Sequence, residues 1–301
     1  MAADRRVRGE TSAPPVLERR YGAGHVFPPR FFGEVTSLSI ARSVSCLTAL
    51  AWIPAVLLFA FILLPLLRMT LAQSPGSLSA VAAMADVRAA IGLSVSTALA
   101  TTAVAAVLGI PTAYLLSRPA FFGKQLLEAV VDLPLAVPHT VAGIALLFVF
   151  GREGIVGFLT SRWLGVSFWG TEAGIVIGML FVSLPYMVNS ARAGFEGIDP
   201  RLAKAARTLG ATPTQVLARV LLPLALRNIL TGMVLTYARG IAEFGAVVLL
   251  AFYPMTAPVK IYEMYLESGL DQASSAAVLL LAVVLVSFVV MRFLIGKKRW
   301  S

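Results

Sequence analysis

Six stretches of this chain run almost without charge, at roughly 46–67, 90–116, 130–150, 172–195, 225–251 and 274–296. About 20 apolar residues in a helix cross the hydrocarbon core of a bilayer. No water reaches that core, so every backbone N–H and C=O there must be satisfied by the chain itself. A helix does this within one segment. The pattern therefore predicts an all-α membrane protein with about six transmembrane helices. Composition agrees, with 58% hydrophobic and 13% charged residues, against roughly 45–50% apolar and about 25% charged in soluble domains. The third run is the least regular, because Asp132, Pro134, Pro138 and His139 near its start would break a helix. Between the third and fourth runs, Trp163, Phe168 and Trp169 lie in a mixed stretch suited to the membrane interface, where aromatic rings are favoured.

The first 40 residues differ. Arg5, Arg6, Arg8, Arg19, Arg20 and Arg30 stand among Asp4, Glu10 and Glu18, with four prolines and no helical period. This is the signature of a disordered basic tail, which divides the chain into a tail at 1–40 and a transmembrane domain at 41–301. The tail is too long and too mixed in charge for a cleaved leader. Cys46 is the only cysteine, which excludes an internal disulfide and a cysteine-based zinc cluster and leaves it as apolar filler.

Orientation follows from the cations. With the N-terminus inside, the cytoplasmic side receives the seven arginines up to Arg42, then Arg118, Lys124, Arg192, Arg201, Lys204, Arg207, Arg219, Arg227, Arg292, Lys297, Lys298 and Arg299. The other side receives Arg68, Arg88, Arg152, Arg162 and Lys260. That asymmetry places both termini in the cytoplasm of a multi-pass cell-membrane (inner or plasma) protein. It also accounts for the net charge of +10 by topology and membrane lipid, without nucleic acid.

One loop is too well formed to be a plain connector. Asp199 is a good N-cap, Pro200 suits the first helical position, and Gly210 suits the left-handed turn after a helix. Between them Leu202, Ala205, Ala206 and Leu209 share one face, with Arg201, Lys204 and Thr208 elsewhere. Thr212 and Pro213 repeat the start signal, so a second helix begins almost at once and runs toward the fifth span. Ala205-Ala206, then Gly210, Val220, Leu222 and Pro223, resemble the loop motif E-A-A-x3-G-x9-I-x-L-P of binding-protein-dependent ABC permeases. Every spacing matches, with Lys204 in place of the glutamate and Val220 in place of the isoleucine. Asp132–Leu147 and Tyr237–Ala246 are similar to segments of the molybdate, tungstate and sulfate permease group. Tyr253–Glu263 looks closest to its tungstate/molybdate branch. The likeness covers roughly 90–296.

The resemblance implies a type I importer permease, with 199–210 as the coupling helix in a groove of an ATPase subunit. Leu202, Lys204, Ala205, Ala206, Leu209, Gly210 and Pro223 would form the ATPase-coupling set. The implied partners are a second copy of the chain, two ABC ATPase subunits, a periplasmic or lipid-anchored substrate-binding protein, and membrane lipid. The implied cargo is tungstate or molybdate. Sulfate, thiosulfate or another small solute, and a secondary transporter without an ATPase, are the alternatives. Without the resemblance, the loop reads as an amphipathic helix on lipid headgroups.

Arg239 and Glu243 stand one helical turn apart in the fifth run. Ionised groups there need a partner or a wet cavity. They form either a self-neutralising structural pair or part of the translocation path, with Pro138 and Thr140 as further path candidates. His139 reads as hydrogen-bonded structure rather than a ligand. No G-x-x-x-x-G-K-[ST] occurs, so ATP must be bound on another chain, and no nucleophile elbow or H-E-x-x-H supports an enzyme. No cofactor or metal is expected.

Overall fold

The apolar runs become helices, but two of them are broken. The computed structural model describes the backbone of residues 30–119 and 121–296, which hold helices and loops and no strand. Contacts divide the chain into two units, Met1–Leu67 and Arg68–Ser301. Helix α1, Arg30–Leu71, contains Pro54 and Pro65, and its part Ala51–Leu71 is long and apolar enough to cross a membrane. It reaches back into the stretch read as a tail; residues 1–29 lie outside the described residues.

In the second unit the helices are α2 (Pro75–Ala83), α3 (Ala85–Leu116), α4 (Lys124–Ala136), α5 (His139–Phe150), α6 (Ile155–Leu164) and α7 (Glu172–Glu196). There follow α8 (Pro200–Thr208), α9 (Pro213–Val216), a π-helical turn (Leu217–Leu221), α10 (Leu222–Ile241), α11 (Gly245–Leu250), α12 (Ala257–Ser268) and α13 (Leu270–Gly296). Ala85–Leu116, Glu172–Glu196, Pro213–Ile241 and Leu270–Val290 are each long and apolar enough to span. With α1 this makes five spans among the described residues, or six if the bent pair α4–α5 is one.

That pair is the run at 130–150, where the prolines and His139 predict a break, and the break is found there. Its axis turns by 115°. Pro138 disfavours the helical conformation at the residue before it, and Val137 is extended at φ −78°, ψ 128°. The run expected at 225–251 is displaced as well. The helix there ends at Ile241, three residues intervene, and α11 starts afresh at Gly245. The π-helical turn has a similar origin to the first break. Pro223 has no N–H to give, and the N–H of Leu222 donates to the carbonyl of Leu217 five residues back.

α7 packs along both α3 and α10, which also pack on each other. Small residues let the backbones approach. A Cβ added at Gly194 would lie 2.7 Å from the Asn228 Cβ, and one at Gly109 would lie 2.9 Å from the Met187 Cγ. The hydroxyl of Ser190 donates to the Asn228 carbonyl at 2.7 Å. Around these contacts Ala113, Leu116, Met187, Ala191, Phe195, Val216, Leu221, Ala225 and Ile229 form one buried cluster, so three spans share a core near the loop helix. At α12, Lys260 Nζ lies 2.7 Å from Asp86 Oδ2 and also pairs with Glu263. These two carboxylates hold its ammonium above the usual lysine range, Asp86 contributing most. α12 is thereby tied to the start of α3.

Candidate functional site

The loop helix α8 is built by its caps. The Asp199 carboxylate accepts from the N–H of Arg201 at 2.8 Å and Pro200 opens the helix, so few donors are left unsatisfied at its start. At its end Gly210 has φ +87°, and Ala211 N–H donates back to Ala206 O while Gly210 N–H donates to Arg207 O. Two residues on, Thr212 and Gln215 cap each other reciprocally, and the chain turns into α9. A short rigid strut results.

Its two sides differ. Leu202 and Leu209 are 47% and 88% exposed, and Lys204 and Ala205 are exposed beside them. Ala206, grouped with this face by its spacing, is half-buried instead, and with Ala203 it packs against the cluster that joins α3, α7 and α10. Bare aliphatic surface on a capped helix is a surface for another protein or for lipid. Its opposite side is seated on the spans. Pro223 lies exposed just past the π-helical turn, at the start of α10.

The second assembly sits where the two broken runs meet. Arg239, near the end of α10, places Nη2 2.9 Å from Glu243 Oε2, while Glu243 Oε1 accepts from the N–H of Ala246 in the first turn of α11 at 2.9 Å. Glu243 is 1% exposed, and both its oxygens are used. The break before α11 thus has a physical reason: it lets one buried carboxylate both cap the new helix and neutralise the arginine.

From across the gap, α5 brings His139. Its Nε2 and Nδ1 lie 2.8 and 3.2 Å from Arg239 Nη2, and Nδ1 lies 3.6 Å from Glu243 Oε2. The ring supplies the acceptor, since a guanidinium only donates. Gly245 permits this approach, because a Cβ there would lie 2.7 Å from the His139 Cβ.

Of the path candidates, Arg239 and Glu243 are therefore brought together, whereas Pro138 and Thr140 are exposed at the start of α5. His139 is the member that the sequence reading set aside. It lies 100 positions from Arg239, and nothing in a single sequence links two residues that far apart. Its place directly after Pro138, at a break in an apolar run, was the one available signal.

Comparison with known proteins agrees with this architecture. Residues 105–299 match the family model described as "Binding-protein-dependent transport system inner membrane component". The chain is 38% identical to the molybdate/tungstate transport system permease protein WtpB of Methanocaldococcus jannaschii, over 81% of this chain and 94% of that one. It is 36% identical to the molybdenum transport system permease protein ModB of Haemophilus influenzae, over 65% and 87% respectively. Among solved structures, one from a bacterial ABC transporter involved in the import of the acidic polysaccharide alginate superposes with a TM-score of 0.66 at 18% identity, covering 88% of this chain and 100% of that one. At that identity the likeness speaks for the fold alone. The family match over most of the chain and the relatives spanned nearly end to end establish that this protein belongs to the binding-protein-dependent transport system inner membrane components, as a permease subunit of an ABC importer.

Proposed function

We propose that this permease carries molybdate or tungstate into the cell as a homodimer, with the path between the two copies, and that α8 takes the stroke of the ATPase. The observation that carries the coupling role is the division of α8 into an exposed apolar side at Leu202, Ala205 and Leu209 and a side packed on the shared core. A groove on an ATPase subunit would grip the first side. Displacement would pass through Ala203 and Ala206 to α3, α7 and α10 together, since packed cores move as units rather than deform. Lys204 stands where the motif has glutamate, and its contact to the ATPase would differ accordingly. The relatives' names support the cargo.

In this reading the permease makes and breaks no bond. It supplies two packings of similar free energy, and the state of two ATPase subunits selects between them. A substrate-binding protein delivers the anion on the outer side, and the bias of Lys and Arg supports both termini inside. Proteoliposomes holding this permease, its ATPase and its binding protein should accumulate molybdate only with ATP inside the compartment that faces the ATPase, and tungstate should compete. Sulfate uptake untouched by either anion would move the cargo to sulfate. Uptake that needs no ATPase would overturn the coupling role of α8.

A further inference from the structure

We propose that Arg239 is the residue that touches the oxyanion within the membrane, with Glu243 as the positioning residue that holds its guanidinium; the proposal rests on the oxyanion reading above. Arg239 spends a single nitrogen, Nη2, on Glu243 and His139. Its Nε and Nη1 have no protein partner among the described residues, although Arg239 is only partly buried at the end of a spanning helix. Guanidinium donors on a spanning helix are not left to hydrocarbon, which cannot satisfy them. They face water or a ligand.

The free Nε–H and Nη1–H groups point away from opposite edges of the guanidinium, so each can donate one charge-assisted hydrogen bond to an oxyanion oxygen while Nη2 stays on Glu243 and His139. The anion can therefore dock without displacing Glu243. The exposed Thr140 at the first turn of α5, whose hydroxyl has no partner among the described residues, lies on the same junction, since a Cβ on Gly245 would meet both His139 and the Thr140 backbone nitrogen.

The carboxylate sets the strength of the site. A lone arginine would bind a dianion tightly and release it slowly. Glu243, buried and fixed by the Ala246 N–H, cancels the charge of Arg239 while the path is empty and weakens its hold on the anion when it is full. Conduction needs a station that is favourable to enter and still easy to leave. Removing the arginine and removing the carboxylate should then shift anion affinity in opposite directions, which a purely structural ion pair would not do.

The test uses the permease–ATPase complex with Cys46→Ser and Thr140→Cys, so that the only thiol of the permease stands beside the junction. Labelling by N-ethylmaleimide is followed against increasing molybdate, with an uncharged solute as control. Molybdate should slow labelling. Arg239→Gln should raise the half-protecting concentration by about tenfold or more, the loss of a charge-assisted contact, and Arg239→Lys, which keeps the cation, should raise it less. Glu243→Gln should lower it. No protection in the parent complex, or equal protection in the parent and in every variant present at normal level, overturns the assignment. If the proteoliposome experiment still shows molybdate uptake, the functional reading survives that failure. If the parent complex transports no oxyanion at all, the reading itself has failed.

Discussion

Gly210 and Gly245 are both required, for unlike reasons. Gly210 has φ +87°, and a Cβ there would meet nothing within 4 Å, so any penalty for a side chain is conformational. Left-handed backbone costs an L-residue roughly 1–2 kcal/mol, less for asparagine. Gly210→Val should therefore reduce co-purification of the ATPase, Gly210→Asn should do so far less, and both should leave the amount of permease in the membrane normal. Equal behaviour of the two would remove the turn from the coupling pathway. At Gly245 the limit is space, set by His139 across the junction. The first requirement is legible in sequence, as a glycine after a capped amphipathic stretch. The second is not, because the colliding residue lies more than 100 positions away.

A nine-residue helix such as α8 does not hold itself together in water, so its caps and its seat on the core matter more than its propensity. Reading an amphipathic stripe from sequence correctly gave the helix its bounds but merged two faces. Alanine is apolar enough for either, and only packing decides which alanine turns inward. The separation makes a sharp expectation. Ala205→Glu should abolish substrate-stimulated ATP hydrolysis while the permease accumulates normally in the membrane. Ala203→Glu buries a charge against the shared core and should lower the amount of folded permease itself. Quantifying membrane-resident permease beside ATPase activity separates these outcomes, and loss of permease in the Ala205 variant would mean that its face serves the permease's own fold. The bend between α4 and α5 was partly legible, since Pro134, Pro138 and a histidine in an apolar run announce a break. Its 115° angle was not, being set by what α5 packs against.

For the molecule as a whole, the charge bias makes an expectation that the helices alone do not. A reporter fused after Trp300 should be active in the cytoplasm, and one inserted near Gly165 should be active outside. The reverse pattern would mean that the bent α4–α5 pair re-enters rather than crosses, or that the cation count misassigns a loop. Class, number of apolar runs and the ends of the loop helix were all determined by sequence. Each follows from a local cause: hydrocarbon forbids unpaired backbone, proline and glycine restrict their own φ, and cap residues act over three or four positions. Tertiary structure alone decided the rest. Arg239 and Glu243 could have been a plain pair within one straight helix, and the pattern of residues fits that equally well. What settled their arrangement was a helix break that lets Glu243 reach Ala246 and a bent partner span that delivers His139, contacts made across the fold by residues whose spacing along the chain carries no record of the meeting.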